Sequence, residues 1–152
     1  CGRIVDWGIT DANNMGAAMA PAAYDTLRAH FTATATAPED YDLIVTGDLG
    51  QVGRDLLLQL MREQRMPLDE RLHRDCGLMI YDRERQDAHA GGSGCGCSAS
   101  VLCASLLPAL QQGDLKRIIF MATGALMSVT SSQQGETIPG IAHAVVLESP
   151  KL

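Results

Sequence analysis

Apolar positions recur along the chain at two different periods. Ala18, Met19, Ala22, Ala23, Leu27 and Phe31 return every three or four residues, which predicts a helix from Ala18 to Phe31 with Pro21 in its first turn. The turn-forming run Thr10-Asp11-Ala12-Asn13-Asn14 precedes it. Leu43 to Thr46 is instead a continuous apolar and β-branched run bounded by turn residues, the pattern of a strand buried on both faces of a parallel sheet. After a turn at Asp48 to Gly50, a second helix carries Val52, Leu56, Leu60 and Met61 on one face, with Arg54, Asp55, Gln59 and Arg62 opposite. Met66 to Arg74 is polar, contains Pro67 and reads as a surface connection. Gly77 to Tyr81 is a short apolar run, and Asp82 to Asp87 alternates in charge like a solvated turn.

A third helix is predicted from Ser98 to Gln112, kinked by Pro108 and stopped by Gly113. Arg117 to Thr123 is the strongest strand signal, ending in a Gly124-Ala125 turn, and His143 to Glu148 alternates as a last strand. Leu126 to Ile141 is too long and polar for a tight turn. Strand then helix, repeated, argues for an α/β fold in which ligands lie beyond the carboxyl ends of strands.

The chain has 152 residues, 46% of them apolar and 20% charged, enough for one domain with a real core. A net charge of -6 and the lack of a Lys or Arg run disfavour nucleic-acid binding. No apolar stretch is long enough to span a bilayer. Beginning at Cys1-Gly2-Arg3, the sequence reads as part of a longer protein, with Ile4, Val5 and Trp7 as the end of a strand. Five cysteines without a CxxC pair suggest reduced thiols rather than a disulfide framework or a zinc site. Buried cysteines acting as small apolar residues are the common case, although a helix start at Cys95 and Cys97 would lower a thiol's pKa.

The chemistry concentrates in Gly91-Gly92-Ser93-Gly94-Cys95-Gly96-Cys97-Ser98. Glycines at alternating positions let backbone pass close to a neighbour, and the following helix start favours an anion. Three glycine-containing turns, Thr46-Gly47-Asp48, Gly92-Ser93-Gly94-Cys95 and Thr123-Gly124-Ala125, would open on one side of the sheet if the two strands are parallel neighbours. His30, His73 and His89 read as exposed in polar surroundings and His143 as part of an alternating strand, with no metal-ligand spacing among them. A triad of Ser93, His143 and Asp48 can be written down, but Ser93 lacks the Gly-x-Ser-x-Gly elbow.

Met15-Gly16, Ala37-Pro38-Glu39-Asp40-Tyr41-Asp42-Leu43-Ile44-Val45, the loop Gly92 to Ser98 and Ala122-Thr123-Gly124-Ala125, in this order, resemble the C-terminal half of the thiolase-like condensing enzymes. Asp75-Cys76-Gly77-Leu78 and Glu136-Thr137-Ile138-Pro139 extend the likeness toward a spore-protein family within that superfamily. The resemblance implies helices on a mixed, mostly parallel sheet with an antiparallel last strand. It also implies one thiolase-like domain over residues 1–152, belonging to a two-half protein.

Gly47 stands where ketoacyl synthases have a histidine, Ser93 where they have an active-site asparagine and thiolases a histidine, and Ala122 near the second thiolase cysteine. Glycine and alanine move no proton, and a serine is no substitute for an imidazole near neutral pH. The resemblance therefore implies lost condensation chemistry, no cofactor, and a component peripheral to the spore inner membrane that takes up and releases dipicolinic acid. Its implied partners are the N-terminal half of the same protein and other spore membrane proteins. The face left for that half invites homodimerisation.

The expected ligand contacts are Gly92, Ser93, Gly94, Cys95, Gly47, Asp48, Thr123, Gly124 and Ser128, with Ser93 and Ser128 as hydroxyl donors. Asp48 would repel a dianion unless it points away or binds through a cation. The alternative is an atypical acyltransferase on CoA or carrier-protein thioesters, for which an activated cysteine and an oxyanion hole are needed.

Overall fold

Strand β1, Leu43–Thr46, lies between two partners in a computed structural model that describes residues 1–150. On one side β2, His73–Asp75, pairs parallel with Ile44 opposite His73; on the other β3, Arg117–Ala125, pairs parallel with Ile44 opposite Ile119. β4, Gly140–Glu148, is antiparallel to β3, so the sheet runs β2-β1-β3-β4 and is mixed, with an antiparallel last pair.

Alternate β1 side chains face opposite ways, and both faces are covered. Ile44 joins Met19, Leu27, Leu57, Met61 and Ile119 in one core; Val45 joins Cys76, Val101, Leu106, Leu110 and Ile118 in the other. Each fully buried aliphatic side chain contributes about 1.5–3 kcal/mol. Helices α1, Met15–Thr34, and α2, Gly50–Glu63, form the first layer. The second is a rod of α4, Cys97–Val101, a π-helical turn, Leu102–Leu106, and α5, Leu107–Gln112.

Several boundaries differ from the sequence reading for local reasons. α1 starts three residues early because Asn14, the last of the turn formers, caps it by accepting from the Ala17 amide at 3.2 Å. Pro21 is thereby the seventh residue of the helix rather than in its first turn. In the rod, Pro108 would clash with the Ala104 carbonyl in a regular helix. Ala104 lies within the widened π turn, which lets the helix run on to the left-handed stop at Gly113, φ 87°.

α2 buries Gly53, Leu57, Leu58 and Met61, whereas Val52 is exposed, so the inward face is rotated from the predicted one. Gly53 sets that rotation. A β-carbon there would stand 2.9 Å from the Cα of Gly16 on α1, so the two helices meet backbone to backbone.

The polar connection contains β2, and Gly77 to Tyr81 begins in a short helix, α3, Cys76–Met79. Gly124-Ala125 is not a turn but the end of β3, paired with Ile141 and Gly140. β4 starts three residues before His143, and the loop ahead of it holds α6, Val129–Gln133. At the chain start, Val5 makes an antiparallel bridge to Gly140, with amide-to-carbonyl bonds of 2.9 and 2.8 Å.

Candidate functional site

Because β1 and β3 are parallel neighbours, their carboxyl ends share one edge of the sheet, and Gly47-Asp48 meets Thr123 there. Gly47 is buried, and a β-carbon on it would come within 3.2 Å of the Thr123 amide nitrogen. The half-buried Asp48 carboxylate is held from two directions. Its Oδ1 accepts from the Thr123 hydroxyl at 2.8 Å; its Oδ2 accepts from the Ser93 hydroxyl at 3.3 Å and the Gly94 amide at 3.2 Å. The Asp48 amide in turn donates to Thr123 Oγ1 at 3.2 Å.

Beneath this cluster Asp75, 1% exposed, anchors the turn after β1. Its Oδ2 accepts from Thr46 Oγ1 at 2.6 Å and the Leu49 amide at 2.9 Å, and its Oδ1 from the Gly50 amide at 3.0 Å. Burial pushes the Asp75 carboxyl above its ordinary range, with the nearby Asp48 charge adding to the rise, while the bonds from Thr46, Leu49 and Gly50 oppose it. Thr46 Oγ1 also lies 3.2 Å from His73 Nε2. Its one proton goes to Asp75, so His73 donates through Nε2–H and Nδ1 is a bare lone pair. Nδ1 has no hydrogen-bond partner among the described residues. Burial, then the positive charges of Arg54 and Arg74, lower the His73 pKa to about 3, and the imidazole is neutral.

The glycine loop is a close-approach device. The Gly92 amide donates to the Gly77 carbonyl at 2.6 Å, and a β-carbon on Gly92 would lie 2.8 Å from the side chains of Ile80 and Tyr81. Gly91 and Gly94 adopt φ of 112° and 105°, a region L-residues rarely enter. The loop is stitched to α2 by the Gln51 amide, which donates to the Ala90 carbonyl at 2.7 Å.

Of the sequence-predicted contacts, Gly47, Asp48, Ser93, Gly94 and Thr123 come together. Gly92 packs on α3, and Cys95 is exposed and joins none of these bonds. Gly124 lies inside β3, and Ser128 caps α6, its hydroxyl accepting from the Ser131 amide at 3.1 Å.

Cys76 and Cys97 are buried as small apolar residues, while Cys1, Cys95 and Cys103 are exposed. The helix start does not activate Cys97. Burial, then the charges of Asp48 and Asp75, raise its thiol, and burial pushes Cys76 up to about 12.

His73 is fully buried rather than in exposed surroundings. His143 is on the exposed side of β4, where its Nδ1 accepts from the Gly2 amide at 3.1 Å. The Ser93 hydroxyl is bonded to Asp48 directly, with no imidazole between them. The written triad is therefore not formed. The sequence reading missed the Asp75 anchor and its link through Thr46 to His73, for which the only signal was a polar His-Arg-Asp run followed by Cys76-Gly77.

Among the described residues no His, Cys, Asp and Glu cluster could hold a metal ion, and no helix is long and apolar enough to cross a membrane. The family model for stage V sporulation protein AD matches residues 1–148. Stage V sporulation protein AD of Bacillus subtilis (strain 168) is 49% identical over 147 residues, covering 97% of this chain and 43% of that protein. The chain thus spans less than half the length of the curated relative it matches. With that identity and a family match over nearly its whole length, the chain belongs to the stage V sporulation protein AD family.

Proposed function

We propose that the protein containing this chain is a non-catalytic component of the spore apparatus for dipicolinic acid, and that it binds dipicolinate at the glycine-loop edge of the sheet. Membership of a sporulation family supports a role in sporulation. The finer reading rests on one observation. Two hydroxyls and a backbone amide, from Thr123, Ser93 and Gly94, converge on a single carboxylate at the carboxyl edge of the sheet, and no imidazole of the described residues joins them. That donor set suits a carboxylate ligand and lacks the imidazole with which the thiolase-like enzymes move protons. Gly47, Ser93 and Ala122, at the positions where the thiolase-like enzymes carry catalytic groups, support the same reading.

The chain is proposed to be the C-terminal thiolase-like domain of a two-half protein that works beside membrane proteins at the spore inner membrane. Calorimetry of the full-length protein with dipicolinate and with acetyl-CoA tests the function. Saturable dipicolinate binding without thioester turnover is the expected result. Formation of an acyl-enzyme from acetyl-CoA would overturn it in favour of the acyltransferase reading.

A further inference from the structure

We propose that Asp48 is a built-in competitor for the ligand: its carboxylate occupies the donors that a ligand carboxylate needs, and binding proceeds by displacing it. The inference rests on the reading of this edge as the dipicolinate site and adds how the site is regulated. Every donor named for the ligand at the meeting point of β1, β3 and the glycine loop is already engaged by Asp48: Thr123 Oγ1 at 2.8 Å, Gly94 N at 3.2 Å and Ser93 Oγ at 3.3 Å. A hydroxyl has one proton to give, so Thr123 and Ser93 cannot hold Asp48 and a second carboxylate at once.

Coulomb repulsion acts in the same direction, since a dianion arriving within a few ångströms meets the Asp48 charge in a partly desolvated corner. Displacement is physically available. Ser93 and Gly94 are exposed and Asp48 is only half-buried, so water can satisfy each group once they part. Asp48 is moreover not what holds its own turn. Asp75 fixes the Leu49 and Gly50 amides from below, and the Asp48 amide bonds Thr123 independently of the side chain. The backbone can therefore stay while the carboxylate swings out. A polar sheet edge in which an internal anion sits on the donors discriminates against weak monoanions, because only a ligand with further contacts outcompetes the resident group.

The test is calorimetric titration of dipicolinate into the full-length protein and its Asp48→Ala and Asp48→Asn variants, each checked for native circular dichroism. Asp48→Asn keeps the shape and one acceptor while removing the charge and turning the other acceptor into a donor, so it weakens the resident group without opening a cavity if the alanine variant folds poorly. The expected result is binding about tenfold tighter for Asp48→Ala, equivalent to about 1.4 kcal/mol, and a smaller gain for Asp48→Asn. Picolinate, a single carboxylate on the same ring, should gain at least as much. Wild-type binding with affinity unchanged or weakened in both variants overturns the competitor role and leaves the dipicolinate reading standing. Folded wild type and variants that all fail to bind dipicolinate overturn the dipicolinate reading itself.

Discussion

Replacing His73 by leucine separates the contribution of one buried imidazole from the rest of the acid response. Burial holds the folded-state pKa of His73 at about 3, against an ordinary value of 6.5. Between those values the unfolded chain binds a proton that the folded chain refuses. The stability His73 confers is thus fully present above the ordinary value and is lost as pH falls toward the folded one, at about 1.4 kcal/mol per pH unit. Asp75 works the other way: its folded pKa is raised, so its contribution grows as pH falls from that raised value toward 3.8. The wild-type minus His73→Leu difference cancels the Asp75 part. Near neutral pH the variant forfeits the bond to Thr46, about 1 kcal/mol, but removes the unpartnered Nδ1, a burial penalty of about 1–3 kcal/mol. Leucine should therefore match or slightly exceed wild type there. Urea denaturation followed by circular dichroism at about pH 7 and about pH 5 should show wild type losing roughly 2 kcal/mol relative to the variant. Parallel pH profiles for the two proteins would refute the argument.

Two further substitutions probe the frame of the site. Asp75→Ala strands the Leu49 and Gly50 amides in the interior and takes away the 2.6 Å acceptor of the Thr46 hydroxyl, and should cost about 2–4 kcal/mol in urea denaturation, with Asp75→Asn costing less because one oxygen still accepts. A loss under about 1 kcal/mol for the alanine variant would mean that Asp75 does not anchor the turn. Gly53→Ala gains up to about 1 kcal/mol in helix propensity but drives a methyl group into Gly16 backbone that cannot yield, so a net loss of about 1–2 kcal/mol is expected. An unchanged melting temperature would show that α1 and α2 separate freely.

Elements whose hydropathy alone decides their place were legible in the sequence. β1 was read with its observed bounds, and β3 was recognised with its ending set two residues short, because Ile44, Val45, Ile118 and Ile119 have nowhere to go but the two cores. β2 was not, because His73 and Asp75 are buried by hydrogen bonding rather than by apolarity, and a pattern of polar residues reads as surface. The inward face of α2 was misjudged for a related reason: the absence of a side chain at Gly53, not the presence of Val52, decides which way it turns. In the site, the meeting of Gly47, Asp48, Ser93, Gly94 and Thr123 could be anticipated from parallel strand ends. The direction of the Asp48 side chain could not, since it depends on whether its neighbours offer protons or lone pairs.

The strand order β2-β1-β3-β4 has a consequence for how the molecule comes into being. β3 and β4 are joined by one local connection, whereas Leu43 must find Ile118 across the whole middle of the sequence. Loop-closure entropy places the hairpin early and the insertion of β1 late. The bond between Asp48 and Thr123, 75 residues apart, belongs to that late event. The acidic corner is a product of completed folding: no peptide cut from either side carries it, and a nascent chain has none until β3 has emerged to receive β1.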